Sequence, residues 1–543
     1  MIGATLAYFK RQLPKSRRGP AGKPGRGSGR HRPARLLRMA GVLRLARWLC
    51  LALCLAPATG PAGAAGAALP PTVSDALREA GVAPASVALW VQPLGAREPS
   101  LALNPDVPLN PASLVKLLTT YAALETLGPA YRWETEVYAA GTLEAGTLSG
   151  HLILKGAGDP KLTLEQFWLL LRSVRERGVR NLDGDLVLDR SAFAPAAYDP
   201  AAFDEEPLRP YNVGPDALLV NFKAVAFHFV PVPGDASVRV IAEPRPYPLE
   251  VVSLVRPTNG RCGDWRAKIQ PQFAPAAAPR KAFRALFTGS YPVSCGDRAW
   301  NIALFSHRDY VAGLFRQLWE EMGGSWTGQV HDGVVPSGAT LVYTHKSPPL
   351  AEVVRDVNKY SNNVMARQLF LTLGANDAGV PASLAVSRAA LEAALAVRGI
   401  DTTGLVVENG SGLSRRARVS ARTFAQLLRT AYGSATMPEF VASLPVVAVD
   451  GTMRKRLKDD AVAGQAHIKT GSLSGVRAIA GYVLDRNGSR QLVVMMINDP
   501  NAGRARPAME ALLRWVYDAS AARPSAAAPP KIPAPARVRR RDA

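Results

Sequence analysis

A serine followed three residues later by a lysine can pair a nucleophile with its base. The chain holds one such pair, in Asn110-Pro111-Ala112-Ser113-Leu114-Val115-Lys116. Placed near the start of a helix, Ser113 lies at the positive end of the helix dipole, and Lys116 follows one turn later on the same face. The amine accepts the serine proton if burial or a neighbouring positive charge lowers its pKa. By itself the pair reads equally as a solvated helix serine and lysine. Two further stretches carry chemistry: Tyr360-Ser361-Asn362-Asn363, and His467-Ile468-Lys469-Thr470-Gly471-Ser472. A hydroxyl, an amide and a second amine suit proton relay, amide binding and carboxylate binding. No Ser-His-Asp arrangement is needed, so the seven histidines are no obstacle.

The elements that position these groups follow from local pattern. Asn110 is placed as an N-cap and Pro111 as the first helical residue, and Gly128-Pro129 ends the helix. Ser361 precedes an apolar helical run. Lys469 lies on a strand leading into a hairpin, residues 478–484 and 491–497, with Asn487-Gly488 as its turn. A helix is expected over residues 72–80, stopped by Gly81, then a hairpin of residues 86–92 and 101–103. A closing helix is expected over residues 506–519. Between about 135 and 300, short Val/Leu/Ile runs alternate with Gly, Pro and Asp around one helix, residues 163–178, which reads as a β-rich insert. The expected fold class is α/β (α+β): an antiparallel sheet flanked by helices, its halves meeting across the insertion. The expected divisions are 1–67, 68–145, 146–300 for the insert, 301–520, and a disordered Ala/Pro/Arg tail over 521–543.

Composition narrows the function classes. With 543 residues, 48% hydrophobic and 20% charged, the chain is globular, not disordered throughout. The net charge of +23 points first to nucleic acid. However, residues 1–48 hold 13 Arg/Lys and no acid, and the tail from Arg523 is also basic, so the body is only mildly basic. Such a surface suits an anionic wall polymer, and no nucleic-acid partner is expected. Arg44 and Arg47 followed by an apolar core, residues 48–58, read as a cleavable signal peptide, with Ala65-Gly66-Ala67 as one cleavage site. Translation starts at Met1 or Met39. The mature chain is expected to be periplasmic with no membrane span. In that oxidising space Cys262 and Cys295 are expected to pair, closing a loop of about 33 residues.

The ordered trio Ser113-x-x-Lys116, Ser361-x-Asn363 and Lys469-Thr470-Gly471 resembles the serine penicillin-binding proteins and β-lactamases. It is more closely similar to the D-alanyl-D-alanine carboxypeptidase/endopeptidase family, the low-molecular-mass class C penicillin-binding proteins of the penicillin-binding protein 4 type. Further stretches carry the likeness: Gly156-Ala157-Gly158-Asp159-Pro160, Asp183-Gly184-Asp185, Asn409-Gly410-Ser411-Gly412-Leu413-Ser414-Arg415, Ser443-Leu444-Pro445 and Asp450-Gly451-Thr452. The roughly 245 residues between Ser113 and Ser361 match the family's insertion.

The resemblance implies a DD-peptidase acting on peptidoglycan stem peptides, with β-lactams as acylating inhibitors and no metal or cofactor. It implies Ser113 as nucleophile, Lys116 as base, Ser361 as proton relay, Asn363 as amide clamp, and Lys469 and Thr470 as the carboxylate site. Gly471 and Ser472 belong to the same binding strand, and the N–H groups of Ser113 and Ser472 would form the oxyanion hole. It also implies a side pocket for the amine-and-carboxylate tip of the stem peptide, with Arg415 on the carboxylate, Glu206 on the amine and Tyr211 beside it. The sequence departs from the family pattern twice, with Ala366-Arg367 in place of Ala-Glu and Asn409 in place of Asp. The other readings are a serine β-lactamase, against which the large insert and the lack of a Glu-x-x-Leu-Asn element weigh, and a non-catalytic β-lactam or muropeptide sensor.

Overall fold

The computed structural model describes residues 68–275, 283–375 and 381–518. The expected signal peptide and C-terminal tail lie outside them. A strand buried on both faces needs apolar residues at successive positions. Arg490–Asn498 meets this with Leu492, Val493, Val494, Met495, Met496 and Ile497, all fully buried. Its even-numbered side chains join one core and its odd-numbered ones another, as period-two alternation requires.

This strand is the middle of a five-stranded antiparallel sheet. The order runs Ala466–Leu473, Val476–Leu484, Arg490–Asn498, Val87–Pro93, Leu101–Leu103. Chain start and chain end thus meet in register, Val87 opposite Ile497 and Pro93 opposite Gln491. One face packs on Pro71–Glu79 and Arg506–Asp518, the other on a helical layer that includes Val115–Leu127, Leu350–Lys359, Asn363–Ala375 and Ala421–Tyr432. Val115–Leu127 is buried over its first ten residues, Val115 to Leu124. A helix apolar all round sits inside the protein and holds its side chains rigidly.

The β-rich insertion is wider than residues 146–300. Its seven-stranded mixed sheet begins with Glu134–Glu144 and ends with Thr340–Lys346, and these two strands pair antiparallel. The returning chain therefore closes on the strand by which it left. Two three-stranded sheets lie within, and their aromatic core includes Phe227, Phe229, Trp265, Phe287 and Tyr291. Cys262 and Cys295 are joined by a disulfide there. Among the described residues, no helix is long and apolar enough to cross a membrane.

Candidate active site

The Ser113 turn departs from a simple capped helix. Ala112 adopts a positive φ of 47°, so residues Ala112–Leu114 form a short 3-10 turn and the α-helix begins at Val115. The Asn110 side chain does not cap that helix. It accepts from the backbone N–H of Ala112 at 2.9 Å and donates to the carbonyls of Ser414 (2.9 Å) and Arg415 (3.2 Å). Its backbone exchanges two hydrogen bonds with the side chain of Asn498 at the end of the central strand. The serine turn is thus tied to sheet and loop alike.

Lys116 points from the buried helix into this turn and is wholly inaccessible. Its Nζ lies 3.0 Å from Ser113 Oγ and 2.7 Å from Asn363 Oδ1, and it also meets the carbonyl of Ser411. None of these groups is a carboxylate. Burial pushes the amine well below its usual pKa, and the charges of Lys469 and Arg367 push the same way. A neutral amine has two N–H groups and one lone pair. Asn363 Oδ1 and the Ser411 carbonyl can only accept, so they take both N–H groups. In that neutral form the lone pair would face the Ser113 hydroxyl.

The second serine–lysine pair closes the cleft. Ser361, at φ 56°, interrupts the chain between Leu350–Lys359 and Asn363–Ala375. Its Oγ accepts from Lys469 Nζ at 2.9 Å, and the same amine donates to the Thr470 carbonyl at 2.9 Å. Lys469 is also fully buried, and desolvation pushes its pKa down to about 7. Thr470 Oγ1 donates to Thr452 Oγ1 at 2.8 Å. Gly471 runs beside the serine turn: a Cβ there would come within 2.6 Å of the Pro111 carbonyl, so a larger residue would push strand and turn apart. Ser472, next along, is exposed.

The structure brings together Ser113, Lys116, Ser361, Asn363, Lys469 and Thr470, though helix, loop and strand come from both sides of the insertion. The Ser411 carbonyl joins them, a contact that leaves no side-chain signal in the sequence. Its loop is held by Asn409, whose Oδ1 accepts from the N–H and Oγ of Ser411 and whose Nδ2 donates to the Leu413 carbonyl. The asparagine therefore shapes this loop without a carboxylate.

The side-pocket residues differ in part from expectation. Arg415 is exposed, packs 4.7 Å over the Phe203 ring and donates to the Ser474 carbonyl beyond the Lys469 strand. The acid beside Tyr211 is Asp204, not Glu206. Tyr211 Oη and Asn212 Nδ2 donate to Asp204 at 2.8 and 2.7 Å, whereas the exposed Glu206 pairs with Arg209. Spacing within the Asp204-Glu205-Glu206 run does not show which carboxylate turns inward. Glu205, between the other two, sits at a positive φ of 61°, a backbone conformation that its residue type does not signal.

Comparison with known proteins agrees with this geometry. The profile of the D-Ala-D-Ala carboxypeptidase 3 (S13) family matches residues 71–517. The chain is 30% identical over 417 residues to a D-alanyl-D-alanine carboxypeptidase of an Actinomadura species, covering 74% of this chain and 75% of that one. It is 25% identical over 394 residues to the D-alanyl-D-alanine carboxypeptidase DacB of Haemophilus influenzae, covering 72% and 81%. The fold is similar to the crystal structure of penicillin-binding protein 4 from Haemophilus influenzae, with a TM-score of 0.66 at 23% identity over 81% of this chain and 99% of that one. A second crystal structure of that protein, complexed with a β-lactam, gives a TM-score of 0.63 at 23% identity over 82% and 99%.

Proposed function

The chain belongs to the D-Ala-D-Ala carboxypeptidase 3 (S13) family of serine hydrolases, and from that premise we propose how its residues act and on what. Ser113 Oγ attacks the carbonyl of the penultimate D-Ala while its proton passes to the lone pair of Lys116. The observation that carries this reading is the amine–hydroxyl contact of 3.0 Å on a buried lysine that has no carboxylate partner among the described residues. The tetrahedral oxyanion is held by the N–H groups of Ser113 and Ser472, an arrangement generally worth about 3–4 kcal/mol. As the C–N bond breaks, the proton moves from Lys116 through the Ser361 hydroxyl to the leaving amine. The product is an ester on Ser113, which water hydrolyses to release the shortened peptide and restore the serine.

Asn363 holds the substrate amide, and Lys469 with Thr470 binds the terminal carboxylate. Arg415, Asp204 and Tyr211 flank a side pocket for a carboxylate-and-amine tip, Asp204 taking the amine. A substrate with that tip on one strand and D-Ala on the next is a cross-linked stem peptide. The enzyme thus acts both as carboxypeptidase on D-Ala-D-Ala ends and as endopeptidase on D-Ala–diaminopimelate cross-bridges. β-Lactams acylate the same serine, a reading supported by the β-lactam complex of the Haemophilus influenzae protein. Export by the N-terminal signal would place it in the periplasm with this substrate.

The test supplies purified D-Ala-D-Ala pentapeptide and a cross-linked muropeptide dimer to the mature chain. Release of D-Ala from the first and monomers from the second, both lost in Ser113→Ala, is the expected result. Release of D-Ala with an intact dimer would overturn the endopeptidase half.

A further inference from the structure

Arg367 departs from the Ala-Glu that the resembled family often carries, and the structure gives this arginine a place beside the site. It lies one turn beyond Asn363 on Asn363–Ala375 and is only 4% exposed. Its Nη1 donates to the carbonyls of Tyr211 (3.0 Å) and Val213 (2.7 Å). The guanidinium carbon lies 5.5 Å from the centre of the Tyr198 ring, and Tyr198 Oη donates to the Asn212 carbonyl at 2.8 Å. The next residue, Gln368, exchanges two hydrogen bonds with the backbone of Asp216. Two consecutive helix residues therefore clamp the segment that carries Tyr211 and Asn212, the two donors to Asp204.

The charge is as informative as these hydrogen bonds. Among the described residues Arg367 has no ion pair, and its Nε has no hydrogen-bond partner. A buried guanidinium without a carboxylate is costly, and a neutral side chain of the same length would avoid that cost. The charged groups facing Lys116 are Lys469 from the strand and Arg367 from the helix, and its other contacts are neutral.

We propose that Arg367 is a positioning residue that couples the side pocket to the nucleophile. Its Nη1, shared between the Tyr211 and Val213 carbonyls, fixes that segment against the helix bearing Asn363, and its unpaired charge keeps the Lys116 amine free to accept the serine proton. The inference rests on the side-pocket and general-base roles proposed above. A lysine at this position keeps a charge but loses the planar guanidinium that lies against the Tyr198 ring.

The experiment uses Arg367→Met and Arg367→Lys in the mature enzyme. The probes are a D-Ala-D-Ala peptide with a free diaminopimelyl tip, the same peptide acetylated on the tip amine, and benzylpenicillin. In Arg367→Met the preference for the free tip over the acetylated one is expected to collapse at least tenfold, mainly through KM. The acidic limb of its benzylpenicillin acylation profile should move to higher pH by about half a unit or more. Arg367→Lys should restore the limb but not the tip preference. An equal loss on all three probes at every pH, in both variants, would mean a purely structural role and overturn the proposal. So would a wild-type tip preference and limb in Arg367→Met. Wild type that is not acylated by benzylpenicillin would instead overturn the proposed function itself.

Discussion

Two buried lysines, Lys116 and Lys359, keep very different company. Lys116, in the floor of the cleft, is fully buried and touches a hydroxyl, an amide oxygen and a carbonyl. Lys359, at the joint behind the cleft, is 5% exposed and bonds Asp450 at 2.6 Å. The same side chain at nearly the same burial does two jobs, and the partner decides which. The Asp450 carboxylate makes a latch between Leu350–Lys359 and the loop that carries Thr452 toward Thr470. Lys116 has no carboxylate among its contacts, and desolvation pushes its pKa down, which suits the proposed base. Asp159 is the reverse case: a buried carboxylate whose Oδ2 has no hydrogen-bond partner, with burial raising its pKa to about 7.

The sharpest way to break this contrast is to give Lys116 what Lys359 has. Asn363→Asp places a carboxylate at the position now 2.7 Å from the amine. The lysine should then hold its proton, with benzylpenicillin acylation slowed by roughly 10²–10⁴-fold, the usual span for loss of a general base. Stopped-flow acylation with circular dichroism of the variant checks this, and a loss below tenfold would argue that Lys116 is not the base. The pH profile sharpens the same point. In kcat/KM for a D-Ala-D-Ala peptide, activity should fall on the acid side as Lys116 gains a proton. It should fall again as pH rises past about 7, where Lys469 loses the charge that binds the substrate carboxylate.

Removing the latch should act on stability first. Asp450→Ala leaves Lys359 buried and unpaired, at a cost of about 2–3 kcal/mol, less than a fully buried pair because Asp450 is partly exposed. Denaturant unfolding measures it, and an unchanged midpoint would mean that the pair is not a latch. At Asp159 the effect depends on pH. Below about pH 4 its carboxyl is neutral in both folded and unfolded chains, so Asp159→Asn should change nothing there. Between pH 4 and 7 the unfolded chain ionises while the folded one resists. Above 7 the folded state carries the full cost of a buried anion. Asp159→Asn should therefore raise Tm by a few degrees at pH 8 and not at pH 4. Equal Tm values at both would show that the carboxylate is satisfied when charged.

How much of this was legible in the sequence depends on what carried each contact. The closing helix and the final hairpin were readable because apolar periodicity and an Asn-Gly turn mark them. They appear as Arg506–Asp518, Val476–Leu484 and Arg490–Asn498. The Ser113–Lys116, Ser361–Asn363 and Lys469–Gly471 groups could be found because side-chain identity and spacing record them. Backbone conformation was not readable. Ala112 has no sequence signature for a positive φ, so the 3-10 turn replaced the expected capped helix. Contacts made to carbonyls left no trace either, which hid the Ser411 acceptor and the grip of Arg367 on Tyr211 and Val213. The insert boundary was misplaced because Glu134–Glu144 pairs with a strand about 200 residues later, and texture along the chain does not show pairing.

The central claim is that Ser113 is the nucleophile of this site. Intact mass of the mature chain with and without benzylpenicillin, run beside Ser113→Ala, tests it most directly. The account predicts one stable adduct on the wild type and none on the variant. An adduct on Ser113→Ala, or none on the wild type with the drug left intact, would contradict it.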